Sequence, residues 1–162
     1  MTPERGPKSS RGGPPPARVV CDVSREGDTF TVQQAALKLA GELRFPRRDA
    51  VELAIVASEL TSNILKYGVR GNVLLDPVDD ARCGPGIRVT ASDEGAPFED
   101  FERAMHDGCD ATGKLEPSDY AGRRGIGSGL GAVRRFSDDL GWTPQEGGKQ
   151  VWAVRYRRRP RP

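Results

Sequence analysis

The spacing of apolar residues changes character several times along the chain. Val19, Cys21 and Val23 recur at every second position, which predicts a short first strand. Residues 24–28 read as a turn. Val32, Ala36, Leu39 and Leu43 then fall at helical spacing, and Pro46 closes that helix. A second helix is predicted from Arg47 to Tyr67, with Val51, Ala54, Ala57, Leu60 and Ile64 apolar and Gly68 and Gly71 stopping it. Val73-Leu74-Leu75 predicts a strand and residues 79–86 a polar loop. Ile87, Val89 and Ala91 alternate with Arg88, Thr90 and Ser92, a strand with one buried face that ends at Asp93-Glu94-Gly95. A short helix is expected over residues 98–105 and a long polar loop over 106–124. A glycine ladder leads into a helix over residues 129–139. Trp152, Val154 and Tyr156 mark a last strand. The order predicts an α+β domain, with helices layered on one face of a mixed sheet.

With 162 residues, 36% hydrophobic and 30% charged, the chain suits one soluble domain. No apolar run approaches the roughly 18–20 residues of a membrane span. Three cysteines, Cys21, Cys83 and Cys109, lack C-x-x-C spacing, and His106 is the one histidine. Disulfide scaffolds, cysteine zinc sites and multi-histidine centres are therefore not expected, and a cytoplasmic location is. Formal net charge is +2 but unevenly placed. Four basic residues and one acid lie in residues 1–18, and five arginines in 155–162. The remainder holds 16 basic and 22 acidic residues, a body near −6. Residues 1–17, rich in Pro, Gly and Ser, read as a disordered leader. Residues 158–162 read as a basic tail. No aromatics interleave the basic residues, as a single-strand platform needs, so direct nucleic-acid binding is not expected.

Three stretches carry candidate chemistry. Glu59 and Asn63 lie four residues apart on the second helix and share a face, with Lys66 one turn further on. A carboxamide oxygen suits a hard cation, a carboxylate can take a proton from a hydroxyl, and the lysine can reach a phosphate. Taken alone, the stretch also reads as the solvated face of an amphipathic helix. Asp93 and Gly95 stand at a strand end, where a carboxylate can accept from an exocyclic amine and a glycine admits close approach. Taken alone, that is an ordinary strand exit. Gly125, Gly127, Gly129 and Gly131 alternate before Ala132-Val133, and backbone N–H groups at a helix start suit phosphates. A P-loop at residues 108–114 fails, because Leu115 stands where a hydroxyl is required and no strand directly precedes it. A Rossmann turn fails on register.

Jointly, Glu-x-x-x-Asn-x-x-Lys-Tyr, Asp-x-Gly and Gly-x-Gly-x-Gly, in this order and spacing, resemble the GHKL (Bergerat-fold) ATPase superfamily over residues 18–157. Within it the chain looks like the small bacterial anti-sigma and switch-protein serine/threonine kinases of the Rsb type. The resemblance implies a histidine-kinase-like ATPase fold with an ATP lid, and ATP and Mg²⁺ as cofactors. It implies Glu59 as general base and Asn63 as Mg²⁺ ligand. Asp93 would hold the adenine amine, and Gly95 would admit the ring. Gly125, Gly127, Gly129 and Gly131 would form the lid hinge and phosphate cradle, with Lys66 a further phosphate contact. It implies a STAS-domain antagonist as protein substrate. The second reading is a non-catalytic, ATP-tuned module that sequesters a sigma factor or activates a PP2C-type phosphatase. Two departures stand out. Pro97 replaces the second glycine of Asp-x-Gly-x-Gly, and Lys149-Gln150 stand where relatives bring a Thr to the adenine pocket.

Overall fold

The computed structural model describes residues 14–106 and 129–158. Their elements run β1 (Val19–Val23), α1 (Gly27–Glu42), α2 (Arg47–Tyr67), β2 (Gly71–Asp80), β3 (Gly84–Asp93), α3 (Phe101–Ala104), α4 (Leu130–Phe136), β4 (Asp139–Gln145) and β5 (Gly148–Tyr156). The strands form one sheet in the order β1-β2-β3-β5-β4. Every pairing is antiparallel, where a mixed sheet was expected. β3 and β5 are neighbours separated by the chain through α3 and α4, and they still run in opposite directions. Among the described residues, no helix is long and apolar enough to cross a membrane.

Period-two alternation puts one set of side chains on the helix-covered face. In register across the sheet, Cys21, Val73, Ala91, Val151 and Trp142 form one row, and Val19, Leu75, Val89, Ala153 and Leu140 the next. Their central members are buried against Val32, Ala36 and Leu39 of α1 and Leu53, Val56, Ala57, Leu60 and Ile64 of α2. Val51 is on the other side of α2 and is 45% exposed. Its spacing from Ala54 fits a helix face, but the face that meets the sheet is the one carrying Leu53 and Val56. On the opposite face of the sheet the Arg88 guanidinium lies over the Trp152 ring, 4.5 Å from its centroid.

Several boundaries differ from expectation. α3 is Phe101–Ala104 and not 98–105, and three others differ through a local hydrogen bond. α1 begins at Gly27, inside the expected turn, because the Asp28 carboxylate accepts from the Ser24 and Arg25 N–H groups at 2.9 and 3.0 Å. The polar loop over 79–86 shrinks to residues 81–83. Asp80 accepts from the Arg82 and Cys83 N–H groups, both at 2.8 Å, and closes a tight hairpin between β2 and β3. The last helix stops at Phe136, where Ser137 turns extended and its hydroxyl donates to the Val133 carbonyl. Asp139 then opens β4, a strand the sequence pattern missed. Pro144 is tolerated there because β4 is a sheet edge.

The next position on the core face of β5 is Arg155, paired in register with Ile87 and only 2% exposed. Its guanidinium donates to Asp49 (2.8 Å) and Glu52 in the first turns of α2, and to the Phe136 carbonyl at the end of α4. Asp49 is buried as well, at 3%. Arg157 donates to the Leu43 carbonyl, and the Arg158 N–H to Asp49. The arginines counted as a charged end are thus largely part of the packing up to residue 158.

Deleting one member of a buried pair leaves the other charges uncompensated. Arg155→Met is expected to destabilise the fold by about 3–5 kcal/mol, read by urea denaturation. Asp28 is held below its ordinary 3.8, chiefly by the Ser24 N–H and then the Arg25 N–H. Its stabilising effect is therefore present above 3.8 and lost as pH falls through the lower folded value. The stability gap between wild type and Asp28→Asn is expected to narrow on acidification below 3.8.

Candidate functional site

α2 starts after Pro46, whose extended backbone delivers the chain into the helix, and Asp49 in the first turn complements its dipole. Lys66 stands in the last turn, where a cation is favoured. Two-thirds along, the helix presents Glu59, 2% exposed, and Asn63, half-buried; Lys66 is exposed. The four-residue spacing places Glu59 and Asn63 on one side, as expected.

The end of α2 meets the end of β3. Gly68 caps the helix through its N–H to the Ile64 carbonyl, and its carbonyl accepts from the Glu94 N–H at 3.2 Å. A Cβ on Gly68 would lie 2.6 Å from the Asp93 Cβ, and one on Gly95 would lie 2.3 Å from the Tyr67 carbonyl oxygen. These glycines let helix end and strand end touch. Gly68 has φ −100°, so close approach, not a left-handed turn, is what demands glycine there. Val69 follows with φ +67° and is 75% exposed, an unusual conformation for a β-branched residue. An Arg70–Glu94 ion pair crosses the same joint.

Asp93 is the last residue of β3. Its Oδ1 accepts from the Gly95 N–H at 2.8 Å and from the Lys149 ammonium at 2.9 Å. The two side chains are 4% and 6% exposed. Lys149 is the register partner of Asp93 on β5, and its ammonium sits 5.5 Å from the Phe98 ring centroid. Phe98 packs edge-on against Phe101 and Trp142. Gln150 points the other way and donates to the Ser92 hydroxyl, so of the Lys149-Gln150 pair the lysine alone faces Asp93. No role was assigned to Lys149 from sequence. The signal was present: it shares parity with Val151 and Ala153, which places it on the core face.

Of the glycine ladder, Gly129 and Gly131 lie within the described residues, and Gly125 and Gly127 lie outside them, with residues 107–128 and the expected lid. Gly129 has φ +68° at the entry to α4, and Gly131 is buried in the helix. α4 packs on α2, the helix that carries Glu59 and Asn63. His106 is exposed, and Pro97 is exposed between Gly95 and Phe98.

The donor set fits a nucleotide with its cation. Asp93 offers an acceptor and Lys149 a donor at one place, and Asn63 offers an amide oxygen. Among the described residues there is no group of three or more His, Cys, Asp or Glu side chains able to hold a metal. Mg²⁺ needs no such cage when phosphate oxygens complete its shell.

The histidine kinase-like ATPase domain model matches residues 23–155. The serine/threonine-protein kinase RsbT of Bacillus subtilis (strain 168) is 28% identical over 137 residues, covering 84% of this chain and 94% of the relative. Two solved structures share the fold. The RsbU and RsbW domains of Rv1364c from Mycobacterium tuberculosis align with TM-score 0.59 at 14% identity, over 93% of this chain and 34% of that one. The SiaB–SiaC complex from Pseudomonas aeruginosa contains a chain with TM-score 0.54 at 18% identity, over 85% of this chain and 89% of that one.

The contact at Gly68 gives a direct test. Gly68→Ala is expected to destabilise by about 1–3 kcal/mol, because its Cβ meets Asp93 and the Ile64 carbonyl. Gly41→Ala in α1, where a Cβ meets nothing within 4 Å, is expected to stabilise by about 0.5–1 kcal/mol. Denaturation midpoints of the two variants check the contrast. Matched from residue 23 to residue 155, with an antiparallel sheet under two long helices, this chain belongs to the histidine kinase-like ATPase (GHKL) family.

Proposed function

We propose that the chain is an ATP-dependent protein serine/threonine kinase that acts on a STAS-domain partner in bacterial partner switching. The observation that carries this reading is the joint between the end of α2 and the end of β3. It joins the helix that carries Glu59 and Asn63 to the strand that ends at Asp93, which supports reading the three as one site. Similarity to RsbT over 84% of the chain supports the choice of reaction class.

Bound ATP with Mg²⁺ supplies the phosphoryl group and charge neutralisation. Asp93 would accept a hydrogen bond from the exocyclic amine of the base. Asn63 would offer its amide oxygen to the cation, and Lys66, exposed one turn on, would meet phosphate oxygens. Gly129 and Gly131, at the entry to α4, would bring backbone N–H groups to the phosphates. Glu59 takes the proton from a serine or threonine hydroxyl of the partner as it attacks in line. Phosphorylation adds about −1.5 to −2 charges to the partner and can dissociate a complex held by complementary charge.

Glu59→Gln is expected to lower phosphotransfer to a STAS-domain protein by about 10²–10⁴-fold while ATP affinity stays within a few fold. Asn63→Ala is expected to lose the Mg²⁺-dependent part of ATP binding. Single-turnover transfer of labelled phosphate, with calorimetry alongside, reads both. Full transfer by Glu59→Gln removes it as the base. Stoichiometric capture of a sigma factor by wild type, without transfer to any STAS protein, replaces the kinase with a sequestering module.

A further inference from the structure

We propose that Lys149 is a specificity-determining residue for the base, acting as the donor half of a two-point reader whose acceptor half is Asp93. The inference rests on the nucleotide reading of that site and adds a residue to it.

A carboxylate offers about four lone-pair positions. On Asp93, Oδ1 already accepts from the Gly95 N–H at 2.8 Å and the Lys149 ammonium at 2.9 Å. Oδ2 is the oxygen left to meet a base. Guanine presents two adjacent donors, N1–H and the 2-amino group, and engages a carboxylate through both oxygens. Adenine presents one donor, the 6-amino group, beside an acceptor, N1. With Oδ1 occupied, the pair matches adenine.

The ammonium has three donors. One goes to Asp93, and the Phe98 ring steadies the charge at 5.5 Å. A donor remains for the ring nitrogen beside the amine. The ammonium also lies against the Gly95 backbone: a Cβ on Gly95 would lie 2.8 Å from Nζ. A lysine with its side chain 6% exposed is costly to desolvate, and its carboxylate partner holds it in place whether or not a base is bound. A donor that loses its partner in so buried a place costs about tenfold or more in affinity.

The test is calorimetric titration of the full chain with Mg²⁺ and three probes: ATP, 1-deaza-ATP, in which a C–H replaces N1, and GTP. Wild type is expected to bind 1-deaza-ATP about tenfold or more weakly than ATP, and GTP more weakly still. In Lys149→Met, ATP is expected to fall to the level of 1-deaza-ATP, so that the difference between them disappears. Should that variant not fold, the wild-type comparison decides by itself. Equal wild-type affinity for ATP and 1-deaza-ATP overturns the role of Lys149 and leaves the nucleotide site standing. Binding of none of the three overturns the site itself, and Lys149 is then the buried counter-ion of Asp93.

Discussion

A guanidinium buried on the core face of the sheet determines where the long helix lies. Arg155 takes a position that alternation reserves for an apolar side chain, between the sheet and the first turns of α2. Desolvating it is costly, so it demands Asp49 and Glu52 opposite and the Phe136 carbonyl beside it. An apolar core allows a helix to slide by a fraction of a turn, whereas a directional pair does not. The start of α2 is therefore tied to the last strand.

A helix of 21 residues spans roughly 31 Å at 1.5 Å per residue. Tied at one end, it carries its far end to the point where β3, the central strand, stops. There the contact tightens again: Gly68 and Gly95 permit backbone approach, and the Arg70–Glu94 pair bridges the joint. Glu59 and Asn63 take their places between these two fixed ends. The candidate site thus stands on regular elements tied at both ends, as precise positioning of side chains requires.

Two buried ion pairs stand at opposite ends of β5, Lys149 with Asp93 and Arg155 with Asp49 and Glu52. Neither is a surface bridge, and neither is explained by net charge. One anchors a helix start and the other sits at the candidate base pocket. A strand whose alternate positions run Lys149, Val151, Ala153, Arg155 places apolar residues in the middle of the core and cations at its two rims. At the Arg155 rim the start of α2 brings carboxylates and the end of α4 a carbonyl, and at the Lys149 rim the end of β3 brings one carboxylate.

Periodicity by itself determined the α+β class, the bounds of α2 and the buried faces of β1 and β3, because local spacing dictates which side chains can share a face. Motif order, read as a resemblance, named the family that the matched domain bears out. Local spacing did not determine the antiparallel direction of the sheet, the hairpin closed by Asp80, the strand β4, or the exposure of Val51. Those depend on which surface another element covers and on single side-chain caps. Gly68 read as a helix stop, and only the folded joint showed why no side chain fits there. Lys149 and Arg155 read as a departure and as part of a basic end. Their burial and their partners, 56 and more than 100 residues away, exist only once tertiary structure brings distant carboxylates to them. A charge shows in sequence, but its counter-charge is a property of the fold.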